Sequence, residues 1–476
     1  MADRYRTGGG APSDPDGPSG RLAHWLAATT LADIPPDVRS RARHLTLDGI
    51  GCLLVGARLP WSAIAVRALV GAEPGSSLIA GWARSASPST AVLLNSSFIQ
   101  GFELDDFSYR IPWHSNSVLL PTVLAVVGMR PAVTGADLLR AAILGCETGC
   151  RAGLALHGPE LTARGWHSGV VFGGIGAAAA AGVLYGFTPA RFEDALGIAA
   201  TQSSGLMAAQ YESMVKRMQH GFAARNGFVA ALLAASGYVG VKRVFERPYG
   251  GFLAVYGEGH HPDVACVDAA LGDRWYSAER TVKPYAAMGY THPAIEAALA
   301  LRKDEQLKAR DVTRVTIEVA EGVLGHTAFA VRRPLDSTVA QMSVTYSTAV
   351  ALVDGAASME QFRPDRVDRD DVWRLIELTR VSGDGRPSGS ANRARLRVLT
   401  RDGRAYERCV DRPLGSPERP LTDAQIIEKY RELTGRVVDR RRQRAIEELV
   451  LRLDERPDAP RELLDLLAPA VGDPFA

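Results

Sequence analysis

The chain is poor in cysteine and in net charge, and it lacks the short signatures of several common chemistries. Five cysteines, Cys52, Cys146, Cys150, Cys266 and Cys409, are scattered over 476 residues. So sparse and odd a set excludes the disulfide framework of a small secreted domain and points to a reduced, cytoplasmic protein. Cys146 and Cys150 stand four apart, on one face if helical, but no CxxC or Cys/His cluster accompanies them. No metal site is expected there, and both read as small buried side chains. Fifty-five basic and fifty-three acidic residues give a net charge of +2, so no global field recruits nucleic acid or an anionic membrane. The first twenty residues, MADRYRTGGGAPSDPDGPSG, have no apolar stretch of the signal-peptide kind. Their Gly, Pro, Ser and Asp content predicts a disordered tail over residues 1–20.

Other absences bear on chemistry. A GxSxG nucleophile elbow is missing. Glycines 169, 173, 174 and 176 lack the GxGxxG spacing and do not follow a predicted strand, so they fail as a dinucleotide loop. The stretch DDFSY at 105–109 begins like a magnesium-diphosphate motif, yet position 109 is Tyr and no second acidic motif follows. The run GVVFGGIGAAAAAGVLYGF (169–187) has no charge over nineteen residues, near bilayer length. Its Gly and Ala contribute little transfer energy and permit close helix contacts, so it reads as a central buried helix rather than a membrane span. No repeat of 20 to 50 residues is visible.

What is present is enough apolar material, 46% of the chain, for two cores. From Leu22 to about Ala270 nearly every segment reads as helix. Val38, Ala42, Leu45, Gly49 and Cys52 form a bundle-type stripe, Thr134 with Asp137 makes a near capping box, and Thr188 before Pro189 marks another start. After about residue 280 the texture changes. VTRVTIEVA (312–320) alternates, and ARLRVLTRDGRAYERCV (394–410) predicts two strands joined at Asp402 and Gly403. Helices are predicted at 343–355 and 371–379, and again after the Thr422–Gln425 capping box. The predicted fold class is mainly α with an inserted α+β domain. Its parts are a tail at 1–20, a helical domain from 21–278 and 415–466, and an α+β lid at 279–414.

Four polar clusters lie in apolar surroundings: GFELDDFSYRIPWHSNSVLLP (101–121), the stretch around His167, the stretch around Lys216 and His220, and the stretch around Lys283 and His292. Lysines in such segments are rarely buried without an anionic partner. Two lysines with several histidines suggest a pocket for a substrate with several carboxylates. Taken singly, His114 or His167 is better explained as a satisfied structural group, and Lys216 as a solvated helix residue.

Six motifs in order, LDGIGCLLVGA (47–57), ELDDF with HSNSVLLPTVLAV, GWHSGVVFGGIGAAAAAGVLYGF, VKRMQHGFAARNGFVAALLA, PYGGFLAVYG (248–257) and VKPYAAMGYTHPAIEAAL, resemble the MmgE/PrpD family over roughly residues 22 to 465. The resemblance implies a helical domain built from both chain ends with an α+β lid, usually dimeric, and a cofactor-free and metal-free site in the cleft between them. Carried onto this sequence, it implies catalytic roles for His114, His167, Asp105 and the lid tyrosine Tyr346. It implies substrate contacts from Glu103, Lys216 and Lys283, with His220 and His292 beside them; Asp106 completes the acidic motif. The implied reaction is loss of water from a small 2-methylcitrate-like polycarboxylate. Epimerisation or decarboxylation of a related acid, and carboxylate binding without catalysis, are the alternatives. Departures from the family pattern fall at Glu103, where Asp is frequent, and at Phe107, Gln219 and Met288. A thioether donates no proton to a carbanion, so Met288 argues against decarboxylation.

Overall fold

The computed structural model describes residues 13–211, 213–386 and 392–476. The expected tail lies largely outside these residues. Its last part is not a tail, because the first helix, α1 (Pro18–Ala28), already begins at a proline in its first turn.

The first half is a helical assembly of α2 (Pro36–Gly56), α3 (Pro60–Leu69), α4 (Pro88–Ile99), α5 (Ser115–Met129), α6 (Gly135–Ala155), α7 (Gly158–Ala163), α8 (Ser168–Tyr185), α9 (Pro189–Ala200) and α10 (Gln219–Ala235). Several starts are set locally. Thr134 and Asp137 exchange hydrogen bonds across the first turn of α6, and the Thr188 hydroxyl accepts from the Arg191 amide ahead of α9. The Gly- and Ala-rich α8 is 94% buried, packed by α5, α6, α9 and α10. Apolar on all sides, it forms the axis of this protein core.

Two sequence expectations fail in this half. A short hairpin, β1 (Ser77–Ile79) and β2 (Arg84–Ala86), interrupts the helices. Between Ser236 and Thr291 the chain makes only α11 (Phe252–Tyr256), the short 3-10 helices Val264–Val267 and Gly289–Thr291, and turns, since Gly and Pro recur too often there for a longer helix to propagate.

The α+β part follows α12 (His292–Asp304). Its sheet has the order β4-β3-β5-β6, built from β3 (Val312–Val319), β4 (Thr379–Gly383), β5 (Ala394–Thr400) and β6 (Ala405–Val410). The alternation in β3 sends Val315, Ile317 and Val319 into the core. β4 pairs parallel to β3 after the helices α13 (Glu321–Thr327), α14 (Ser337–Met342), α15 (Val344–Asp354) and α16 (Asp370–Glu377). This edge strand was not anticipated, because TRVSG is short, half polar and ends in glycine. The chain then returns to the first half: α17 (Asp423–Thr434) and α18 (Arg440–Leu451) pack on α2, and α19 (Ala459–Leu467) packs on α5.

Candidate active site

The segment between α4 and α5 turns sharply at Glu103, which adopts left-handed backbone angles, φ 56° and ψ 35°, while only 1% exposed. A buried non-glycine residue in this region is costly and persists only where its surroundings fix it. Its carboxylate sits among cations from two other parts of the chain. Oε1 accepts from Lys216 Nζ at 2.7 Å, with Arg217 at 3.5 Å, and Oε2 accepts from Lys283 Nζ at 2.9 Å. Burial opposes ionisation of Glu103, but Lys216 and Lys283 outweigh it and hold the carboxyl well below its usual range.

The neighbouring aspartates divide the work. Asp106 accepts from the Asn116 amide at 2.8 Å, the Ser115 amide at 3.2 Å and the Ser115 hydroxyl, so it caps the first turn of α5. Its second task is an ion pair with buried Arg280 at 3.0 Å. Asp105 instead faces two residues of the cavity wall, with Oδ2 3.1 Å from His114 Nδ1 and Oδ1 3.8 Å from Lys283 Nζ.

These groups line a cavity of about 60 Å³ shared by Glu103, Phe107, Trp113, His114, His167, Lys216, Lys283, Met288, Tyr290 and His326. That is room for a few water molecules only. It adjoins an outer cavity of about 220 Å³ through Thr162, Met207, Tyr290 and His326. A larger open groove of about 630 Å³ lies elsewhere, along β1, β2, α4 and α19, but its lining, with Ser77, Arg84, Asn95 and Leu464, sets no group of cations and imidazoles face to face. The inner cavity gathers the charged groups, and an acid larger than a few waters would extend from it into the outer one.

His167, His220 and His326 are pushed toward the neutral form. Burial, then the charges of Lys216 and His114, push His167 well below its ordinary value; burial and the neighbouring imidazoles do the same to His220. His326 falls to about 4 through burial and Lys216. His220 stands behind the cavity wall, its ring 4.8 Å from those of both His114 and His167. Only a glycine fits at 169, since a Cβ there would lie 2.7 Å from His220 Nε2.

The structure therefore brings His114, His167, Glu103, Lys216 and Lys283 together at one cavity, with Asp105 and His220 directly behind. Two candidates lie apart from it. The Tyr346 hydroxyl is buried and donates to the Gln361 carbonyl at 2.7 Å, which ties up the expected lid tyrosine. His292 is fully buried and its Nε2 bonds the Ala287 carbonyl at 3.0 Å. Of the departing residues, Phe107 lies 5.5 Å above Lys283 Nζ and presses on Gly289, where a Cβ would come within 2.0 Å of the ring. Gln219 bonds the backbone of Leu206 in both directions and supports the loop instead of facing the cavity. Sequence reasoning missed His326, Arg217 and Gln341. His326 sits in a plain stretch, EGVLGHTAF, and nothing in that pattern announces a site residue. Among the described residues no group of three or more His, Cys, Asp or Glu is placed to hold a metal ion.

The fold and this cavity define a class: a helical protein with an α+β part whose buried lysines and imidazoles converge on one cavity. Models of the MmgE/PrpD N-terminal and C-terminal domains match residues 20–265 and 285–455, and the chain belongs to the MmgE/PrpD family. It is 43% identical to the cis-aconitate decarboxylase-like protein oryM of Aspergillus oryzae, over 96% of this chain and 98% of that one. It is 40% identical to cis-aconitate decarboxylase of Aspergillus terreus, over 96% and 97%. The mouse cis-aconitate decarboxylase is 23% identical over 95% and 93%. Two of these relatives are named cis-aconitate decarboxylases and the third decarboxylase-like, which supports a lyase acting on a polycarboxylate.

Proposed function

We propose that this protein is a carboxy-lyase that removes CO2 from cis-aconitate or a closely similar small unsaturated tricarboxylate. The observation that carries the reading is the pair of buried ammonium groups, Lys216 and Lys283, bridged by Glu103 at a cavity edged by three imidazoles. The strong likeness to the Aspergillus decarboxylases supports it.

The chemistry requires little else. When CO2 leaves, its bonding electron pair stays on the carbon skeleton and spreads toward a remaining carboxylate. Fixed cations beside that carboxylate stabilise the developing charge without reorganising during the reaction. One proton is then delivered to carbon, so a carboxylate and a proton become a C–H bond and CO2. His114, oriented by Asp105, moves that proton. Met288 cannot, but it shares the cavity with His114, His167 and His326, so its thioether does not leave the site without a proton carrier. The expectation that Met288 disfavours decarboxylation therefore carries little weight.

Proton NMR in D2O with cis-aconitate, citrate and 2-methylcitrate tests the reading. Conversion of cis-aconitate to itaconate, with deuterium on the newly protonated carbon, is the expected result. Dehydration of 2-methylcitrate with cis-aconitate untouched would sink it.

A further inference from the structure

Glu103 would not hold its left-handed conformation unaided, and two side chains from distant parts of the chain bond the carbonyls of the residues on either side of it. Gln341, in α14, donates from Nε2 to the Phe102 carbonyl at 2.8 Å and to the Ala286 carbonyl at 2.7 Å. Its Oε1 accepts from Arg217 at 2.5 Å, so this one amide joins residue 102, the strand of chain leading to Met288, and the arginine beside Lys216. On the other side Lys429, in α17, donates to the Leu104 carbonyl at 2.6 Å and pairs with buried Asp48 of α2 at 2.6 Å. The carbonyls that flank Glu103 are thus held from the α+β part and from the C-terminal helices respectively.

We propose that Gln341 and Lys429 are positioning residues that clamp the Glu103 turn, and through its carboxylate set the spacing of the Lys216 and Lys283 ammonium groups. Each ammonium gives one N–H to Glu103 and retains others for the substrate. Two carboxylates of one small acid can land together only at the distance that Glu103 imposes. Neither residue lines the cavity, so both act through Glu103. The kinetic consequence rests on the carboxy-lyase reading; the clamp itself does not.

Hydrogen exchange of the substrate-free protein tests the clamp first. Gln341→Met and Lys429→Met, each with native circular dichroism, should speed amide exchange across 102–107 by about tenfold or more relative to the 394–410 hairpin. Lys429→Arg, which keeps a donor, should stay close to the parent. If Lys429→Met does not fold, Lys429→Met combined with Asp48→Asn, which removes the carboxylate left without its partner, replaces it with the same expectation. Unchanged exchange in folded variants overturns the clamp. Kinetics with cis-aconitate give the second readout: both Met variants should raise KM about tenfold, Lys429→Arg should restore it, and in a Glu103→Gln background the same substitutions should add almost nothing. Fully additive effects, or a lowered melting temperature with KM unchanged, would show a merely structural role. Faster exchange in the variants of a protein that converts no cis-aconitate would leave the clamp standing and remove the carboxy-lyase reading.

Discussion

Two adjacent aspartates with different partners show how this site works at the level of single residues. Asp105 lies 3.1 Å from His114 Nδ1, whereas Asp106 is consumed by a helix end and Arg280. Replacing His114 by Asn should therefore lower kcat by about 10² to 10⁴ while leaving binding of the saturated analogue tricarballylate nearly intact, a split that kinetics and calorimetry together read. The buried imidazoles also set an acid limit. His292 is depressed to about 3, by burial first and then by Lys283, against about 6.5 when unfolded. A histidine held neutral in this way contributes its full stability above pH of about 6.5 and loses about 1.4 kcal/mol for each unit below it. His167 and His220 shift in the same direction. The melting temperature should fall as pH drops from 7 to 5, and His292→Gln should flatten that slope.

At the scale of elements, the start of α5 depends on a side chain outside the helix. Asp106 satisfies the first-turn amides and neutralises Arg280, itself 1% exposed. Asp106→Ala should cost about 3–5 kcal/mol, because it strands a buried guanidinium, and Asp106→Asn should cost less, since it keeps an acceptor. Denaturant midpoints of the two variants check the order. Capping boxes at Thr134 and Thr422 and the alternation of β3 were legible in the sequence because each is a local rule expressed within a few residues. β4 and the β1–β2 hairpin were not, because a short edge strand is defined by its neighbour more than by its own residues.

For the whole molecule, the site closes only because distant segments meet. Glu103 follows α4, Lys216 precedes α10, Lys283 precedes α12, and His326 belongs to α13. A ligand bound among them links all four. Tricarballylate at about 100 times its Kd should stabilise the protein by about 2.7 kcal/mol, seen as a raised melting temperature, and Lys283→Met should abolish the shift. The helical first half, the α+β second half, the family, and most of the charged residues that converge were legible along the chain. Those follow from periodicity, turn chemistry and motif order, all carried along the chain. Three-dimensional packing alone bonds Tyr346 and His292 away from the cavity, brings His326 into it, and sets Gln341 and Lys429 on the carbonyls beside Glu103. Such roles depend on which groups satisfy one another's charges and hydrogen bonds once buried, and that pairing is a property of packing across hundreds of residues.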